Sequence, residues 1–240
     1  MSLNTLPLVF DGKRYVIGGI THENTFGMVA FLDALGVKGI WETRDTNEVL
    51  NDWNKVYYLF YDSLKSLDIN VAAFSDTLII SMRKGREMGS WRLAEIFCEA
   101  IIPLFLKSME YEFFFRGAVA MGYFSRSSRM LIGPAADEAA EFYEAYNWVG
   151  ICISPNTGLI LDRDITQKGS RNFLVKYNIP QKTTTSIGWS LNWTSHIYDN
   201  KHLRILMNKR DKYLSLRDYS KYFKYKNSLD FFYAVTNNIE

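Results

Sequence analysis

Two aspartates stand out because each lies inside a strongly apolar stretch of sequence. Asp33 ends the run GMVAFLD, and Asp76 interrupts the run AAFSDTLII. A carboxylate in such surroundings loses hydration and needs a cation or hydrogen bonds to compensate. Two carboxylates on neighbouring strands also repel each other, and a pair of divalent ions relieves that repulsion. We therefore predict that Asp33 and Asp76 bind two Mg²⁺ or Mn²⁺ ions, which prefer oxygen ligands.

Each aspartate also has a structural interpretation. An aspartate beside glycine or serine commonly caps a helix or a turn through its side-chain oxygen. Either explanation fits one residue alone, and the pairing of Asp33 with Asp76 favours metal binding. The loop after Asp33, residues 34–37, is short and leads into a helical region. Its backbone N–H groups are therefore candidates for binding a phosphate.

The spacing of apolar residues predicts the elements that must position these groups. Short apolar runs bounded by turn residues predict strands, and apolar residues three and four apart predict helices. The predicted strands cover residues 27–32, two runs within 70–81 that fold about Ser75 and Asp76, 113–122, 130–132 and 148–154. The predicted helices cover residues 47–64, 90–108 and 134–147. This order predicts an α+β fold, a ferredoxin-like or palm sandwich with helices packed on a mainly antiparallel sheet.

Beyond residue 161 the periodic pattern weakens. We predict polar loops there, then the segment GWSLNW, then a helical tail from Lys201. Packing in the core is favoured over base stacking for Trp189 and Trp193. The many lysines of residues 201–226 are predicted to lie in water on a packed helix rather than to bind nucleic acid. The chain is predicted to form one domain, residues 1–240, with a core at about 26–160 and a C-terminal extension at about 161–240.

Composition excludes several classes of protein. With 48% hydrophobic residues the chain can bury a core, so dominant disorder is excluded. The 28 basic and 26 acidic residues give a net charge of only +2, without the excess of a dedicated nucleic-acid binder. Cys98 and Cys152 lie in apolar runs that indicate reduced, buried thiols. Because the first residues do not resemble a signal peptide and residues 91–106 are too short and charged to span a bilayer, we expect a cytoplasmic protein without membrane contact.

Four motifs in order resemble the catalytic domain of class III nucleotidyl cyclases: AFLDALG, FSDTLI, FRGAVAMG and IGPAADEAAEFYEA. The resemblance covers about residues 26–160. It implies that Asp33 and Asp76 bind two metal ions and that the backbone carbonyl of Ala34 adds a ligand. It also implies a homodimer with the active site between two protomers, and a nucleoside triphosphate as substrate. The backbone positions that would contact the triphosphate are Ala34, Leu35, Gly36 and Val37.

Three other positions extend or depart from the pattern of that family. Arg116 stands where the family often has an arginine, and it either binds phosphate or pairs with a carboxylate. The lysine that selects a purine four residues before the second aspartate is replaced by Ala72. An asparagine and an arginine that act at the transition state are replaced by Asp137 and Glu141, and neither carboxylate can stabilise a developing negative charge.

With these departures and an Asp-Ala-Leu-Gly first motif, the chain resembles the pyrimidine cyclases of bacterial anti-phage defence, the Pycsar type. That resemblance implies conversion of UTP or CTP to the 3′,5′-cyclic monophosphate and pyrophosphate, and a separate effector protein that the product activates. It leaves the choice between UTP and CTP open. It also suggests a phosphate-binding cation in the later segment, where the candidates are Lys168, Arg171, Lys176 and Lys182.

Two alternative functions fit the same residues. A catalytically degenerate domain that binds a nucleotide and regulates a partner would explain Asp137 and Glu141. A palm domain that polymerises nucleotides or makes cyclic dinucleotides is disfavoured because no GGDEF-like run is present. The acidic residues of the third predicted helix are interpreted as a solvated face rather than as metal ligands: Asp137, Glu138, Glu141 and Glu144.

Overall fold

A computed structural model describes residues 14–17, 20–23, 25–37, 44–127, 130–164 and 172–237. The strands are β1 (Arg14–Ile17), β2 (Ile20–Glu23), β3 (Thr25–Ala34), β4 (Ile69–Phe74), β5 (Thr77–Arg83), β6 (Phe115–Arg126), β7 (Leu131–Ile132), β8 (Gly150–Ile153), β9 (Leu174–Pro180) and β10 (Thr185–Leu191). The helices are α1 (Thr46–Lys65), α2 (Ser90–Glu110), α3 (Pro134–Ala145), α4 (Pro155–Arg163), α5 (Lys201–Ser215) and α6 (Tyr219–Asn237), with a short 3₁₀ helix at Trp193–His196.

One large sheet forms the centre of the molecule. Its strands lie in the order β4-β5-β3-β6-β8-β10-β9, and β7 pairs with the end of β6. Every neighbouring pair is antiparallel except β6 and β8, which run parallel. β1 and β2 form a separate two-stranded ribbon. The palm-type α+β fold with a mainly antiparallel sheet is confirmed.

The two faces of the sheet are covered differently. On β3, Met28, Ala30 and Leu32 join the main core, in which α2 contributes buried residues on nearly every side. The intervening Val29 belongs to a smaller cluster under α3, because successive strand residues point to opposite faces. The small residues of α3, among them Ala135, let that helix lie close to β6. Asp33 follows the same alternation and lies on the α3 face.

Most of the predicted elements before residue 154 are confirmed. The predicted strands, the hairpin turn and the three predicted helices all occur, with ends shifted by a few residues. The side chain of Asp45 accepts the N–H groups of Asn47 and Glu48 and so begins α1. Cys98 and Cys152 are free and fully buried, as predicted. Among the described residues, no helix is both long enough and apolar enough to cross a membrane.

The prediction of polar loops after residue 161 was wrong. Residues 174–180 and 185–191 form the hairpin β9–β10, which completes the sheet beside β8. The first three residues of β10 are exposed and only Leu174 and Ile179 of β9 are buried, so the strict alternation that identifies a half-buried strand is missing. The nine-residue helix α4 was also missed, because it contains Gly158 and begins at Pro155. The tail is helical as predicted, but it forms two helices separated at Arg217, whose φ is 55°.

Candidate active site

The hairpin β4–β5 brings Asp76 to the end of β3. Asp33 lies opposite Thr77 in the register of β3 and β5. The Ala34 N–H donates to the Asp76 carbonyl at 2.9 Å and fixes the turn against the strand end. The turn includes Ser75 at φ 55°, a left-handed conformation that costs a non-glycine residue about 1 kcal/mol. The two aspartates predicted to act together are therefore neighbours in the fold.

Arg116 lies directly across from Asp33 on β6 and forms an ion pair with it. The Arg116 Nε donates to Asp33 Oδ2 at 2.8 Å, and only 13% and 15% of the two side chains are exposed. Burial nevertheless raises the pKa of Asp33, and the Asp76 carboxylate adds to this rise, whereas Arg116 opposes it. Arg116, with a weaker contribution from Lys224, thus compensates only part of the cost of two adjacent carboxylates.

The carboxylate oxygens of Asp33 and Asp76 suit a hard divalent cation. Among the described residues, Asp33 Oδ1 and both Asp76 carboxylate oxygens accept no hydrogen bond. No group of three His, Cys, Asp or Glu side chains that could hold a metal occurs in the described part of the chain. A metal site here therefore depends on two carboxylates supplemented by backbone or substrate oxygens, a set that fits Mg²⁺ or Mn²⁺.

The loop after β3 has two N–H groups left for a ligand. The Ala34 N–H is used by Asp76, and the Leu35 N–H donates to the Phe114 carbonyl at 2.7 Å. The N–H groups of Gly36 and Val37 have no partner among the described residues. Gly36 takes φ +83°, which a side chain would disfavour. Of the four predicted backbone contacts, the N–H groups of Gly36 and Val37 are thus the ones available to a phosphate.

A cleft of about 360 Å³ opens beside this loop and is called the basic cleft here. It is bounded by residues 35–37 on one side and by α5 and α6 on the other. Its charged lining residues are Arg44, Glu112, Lys209, Lys212 and Lys221. Four cations therefore face one carboxylate, and that Glu112 carboxylate already pairs with Lys209 at 3.2 Å.

Lys224 on α6 is the functional candidate that sequence analysis missed. Its ammonium is half-buried and interacts electrostatically with Asp33, Arg116 and Lys182. The sequence gives no periodic signal for it, because α6 is not clearly amphipathic. In the structure Lys224 directly precedes the buried Tyr225 and lies one turn before Ser228. The lysines of this segment are predicted to be solvated, and the structure corrects that prediction for Lys224 and for Lys209, whose side chain is only 17% exposed.

The acidic residues of α3 and the candidate phosphate-binding cations were also predicted from the sequence. Asp137 and Glu141 are exposed on α3, as predicted, while Glu138 accepts the Asn156 N–H at 3.1 Å. Lys176 forms an ion pair with Asp162 at 3.2 Å, away from the aspartate pair. Two phosphate candidates, Lys168 and Arg171, lie outside the described residues, as does the start of the chain.

The tryptophans and the hairpin bear on nucleobase recognition. Trp189 and Trp193 are buried, which confirms packing, and the Trp189 indole N–H donates to Asp162. Ala72 is exposed near the hairpin turn. Its methyl group offers no hydrogen bond to a purine. Phe74, the last residue of β4, is 77% exposed.

Solved structures of nucleotide cyclases share this fold. The adenylyl cyclase CyaB from P. aeruginosa matches with a TM-score of 0.54 and 11% identity, over 72% of this chain and 96% of that one. The guanylate cyclase domain of RhGC from Catenaria anguillulae in complex with GTP matches with a TM-score of 0.51 and 12% identity, over 69% and 96%. A non-canonical dimeric guanylyl cyclase domain of the RhoGC fusion protein from Blastocladiella emersonii matches with a TM-score of 0.53 and 13% identity, over 70% and 94%.

No protein-family model and no curated protein matches the chain. At these identities the structural matches establish the fold, which is that of the class III cyclase catalytic domains. More than a quarter of this chain lies outside the region shared with CyaB.

Proposed function

We propose that this protein is a nucleotidyl cyclase that converts a nucleoside triphosphate to the 3′,5′-cyclic monophosphate and pyrophosphate. The observation that carries the proposal is the juxtaposition of Asp33 and Asp76 at one end of a cyclase-type sheet, where Arg116 pairs with Asp33 and no described cation pairs with Asp76. Cyclase-fold neighbours, including the one solved with GTP, support the nucleotide class. The Gly36–Val37 loop and the basic cleft beside it support a polyphosphate as part of the substrate.

Each residue of the site has a distinct proposed role in the reaction. Asp33 and Asp76 would hold two divalent ions, with the Ala34 carbonyl as a further ligand. Bound ions of this kind lower the pKa of the ribose 3′-hydroxyl and neutralise charge on the departing pyrophosphate. Arg116 fixes the orientation of Asp33. The N–H groups of Gly36 and Val37 bind phosphate oxygens as the 3′-oxygen bonds to the α-phosphorus and the bond to the β-phosphate oxygen breaks. The 3′-hydroxyl proton passes to water.

The proposed substrates are the pyrimidine nucleotides UTP or CTP. Support comes from Ala72, which supplies no purine-selecting hydrogen bond, and from the resemblance of the motifs to pyrimidine cyclases of anti-phage defence. The same resemblance supports a role in that defence and a separate effector activated by the cyclic nucleotide. The buried thiols Cys98 and Cys152 are compatible with a cytoplasmic location, which is part of this proposal.

The proposed assembly is a homodimer of one cyclase-like domain per chain. Exposed apolar residues beside Asp76, above all Phe74, support a partner at this edge. The non-canonical dimeric guanylyl cyclase domain among the neighbours supports association of two such domains. We propose that residues 1–240 form one domain, with its core at about 26–160. The addition of β9 and β10 to the central sheet supports treating the extension at about 161–240 as part of that domain.

The proposal is tested by incubating the purified protein with each of the four ribonucleoside triphosphates and Mn²⁺ and measuring product masses. We expect a cyclic pyrimidine monophosphate. Asp33→Asn and Asp76→Asn are each expected to lower turnover on the order of a thousandfold, because each removes a ligand charge from the reacting centre. Asp162→Asn is the matched control, since Asp162 lies in another cleft, and it is expected to retain activity within twofold.

Each outcome has a defined meaning. Full activity in both the Asp33 and Asp76 variants would contradict the metal-pair site. The second candidate function, a regulatory nucleotide-binding module, is favoured by the carboxylates Asp137 and Glu141 on α3. Metal-dependent binding of a nucleotide without any cyclic product would support that module instead.

A further inference from the structure

The middle of α6 is anchored at the same end of the sheet as Asp33. The Val149 N–H donates to Ser228 Oγ at 2.8 Å, and Asn227 Nδ2 donates to the Asn147 carbonyl at 2.8 Å. Residues 147–149 lead directly into β8, where Gly150 lies opposite Arg116. Lys224, one turn before Ser228, is therefore held beside the ion pair of Arg116 and Asp33.

Aromatic packing also anchors α5 and α6 to the loop of residues 35–37. Tyr225 is buried, meets Phe114 edge-on with ring centroids 5.2 Å apart, and stacks on Tyr213 of α5 at 5.5 Å. Lys209 lies over the Phe114 ring at 5.4 Å. Phe114 in turn accepts the Leu35 N–H. The lysine-bearing helices and the loop thus share one support, so their relative positions are fixed.

Lys224 has no ion-pair partner of its own among the described residues. Burial lowers the pKa of Lys224, and the neighbouring Arg116, Lys182 and Lys221 lower it further, while Asp33 opposes them. Asp33 is already paired with Arg116, and Lys221 with Asp218 at 3.1 Å. The ammoniums of Lys182 and Lys224 pair with no described carboxylate. Half-buried cations crowded together are costly unless an anionic ligand compensates.

We propose that α6, through Lys224 with Lys221 beside it, binds the β- and γ-phosphates of the nucleotide in the active site of its own chain. This inference rests on the proposed function and identifies the cations of that site. A polyanion lying between Gly36 and α6 would receive charge-assisted hydrogen bonds from Lys224. It would also pass the mouth of the basic cleft. The C-terminal helices are thereby part of the substrate site, on the wall opposite the loop.

The test measures calorimetric binding of inorganic tripolyphosphate with Mg²⁺ to the full chain and its variants. Lys224→Gln is expected to weaken binding on the order of tenfold, and Lys224→Arg to restore most of it. Lys226→Gln is the matched control. That lysine lies on the same helix, pairs with Asp230 at 2.6 Å, and is expected to leave binding unchanged within twofold. In turnover, Lys224→Gln should raise KM for the triphosphate more than it lowers kcat.

A melting curve separates ligand binding from a structural role. Because Lys224 is crowded by cations, Lys224→Gln is expected to unfold at the same or a higher temperature than the parent protein. Equal loss of tripolyphosphate binding in Lys226→Gln, or unchanged binding in Lys224→Gln, would overturn the inference. If the parent protein cyclises a nucleotide while Lys224→Gln binds normally, the proposed function stands and this inference fails. If no nucleotide is cyclised but Lys224→Gln binds tenfold more weakly, the reverse holds.

Discussion

Two clefts of nearly equal volume differ in how their charges are used. The basic cleft beside residues 35–37 has about 360 Å³. A second cleft of about 370 Å³ lies between α4 and the hairpin β9–β10, and is called the apolar cleft here. Its walls include Leu159, Ile179 and Ile187. In it, Asp162 accepts the Trp189 indole N–H at 3.0 Å and pairs with the Lys176 ammonium.

The two clefts therefore differ in unpaired charge rather than in volume. Asp162 and Lys176 satisfy each other, and the Lys176 ammonium also lies 4.9 Å from the centre of the Trp189 ring. Nothing in the apolar cleft therefore requires a charged ligand. In the basic cleft and beside it, Lys212 and Lys224 pair with no described carboxylate, and the Asp76 carboxylate has no described cation within ion-pair distance. These are the groups that a nucleotide with divalent ions would satisfy together.

The largest effect in the basic cleft is expected from a substitution outside it, at a residue that holds α5 in place. Glu110 at the end of α2 accepts Lys107 at 2.8 Å and Lys201 of α5 at 2.6 Å, and lies 3.5 Å from His202. Glu110→Gln should lower the free energy of unfolding by roughly 1–2 kcal/mol at neutral pH, since both lysines are half exposed and water screens the pairs. Tripolyphosphate binding should weaken as α5 loosens. Denaturant unfolding and calorimetry measure the two effects.

The pH dependence of stability tests whether the effect of Glu110→Gln comes from the lost ion pairs. The two lysines lower the pKa of Glu110 from 4.5 to about 2. A carboxyl whose pKa is lowered by folding contributes stability above its ordinary pKa and loses it as the pH falls towards the lowered value. The stability difference between the parent protein and Glu110→Gln should therefore be full at pH 7 and shrink between pH 4.5 and pH 2. A difference that persists at pH 2 would assign the effect to packing instead.

The sequence predicts the local elements of the site but not the contacts between distant parts of the chain. The strand that ends at Asp33 and the hairpin that carries Asp76 are short apolar runs with sharp turns, so local pattern suffices to find them. The ion pair of Asp33 with Arg116 depends on the register of two strands 83 residues apart in sequence. Lys224 depends on how α6 docks against Val149. Neither relation leaves a periodic signal, and β9–β10 was missed because its buried residues do not alternate strictly with exposed ones.

Each cleft contains a glycine that tests the two linings by stability. Gly36 has φ +83° and open space around it, so Gly36→Ala should cost about 1 kcal/mol purely through backbone strain. Gly158 lies inside α4, and an added methyl group would meet Trp189 Cδ1 at 3.4 Å, an ordinary contact. Gly158→Ala should stabilise the protein by about 0.5 kcal/mol through helix propensity. Denaturant unfolding measures both changes. Destabilisation by both would show that the apolar cleft resists filling.

The smallest expected effect separates the two clefts by ligand binding alone. Lys212 is exposed in the basic cleft without a described partner, so Lys212→Gln should weaken tripolyphosphate binding about threefold at low salt and less at high salt, because water and ions screen it. Lys176→Gln removes an equally charged lysine from the apolar cleft. It should leave tripolyphosphate binding unchanged and instead lower the free energy of unfolding by up to about 0.5 kcal/mol, through the lost contacts with Asp162 and Trp189. Equal weakening by both substitutions would mean that the polyanion responds to the overall charge of the protein. Weakening by Lys212→Gln alone would mean that the position of the cation beside residues 35–37 decides binding.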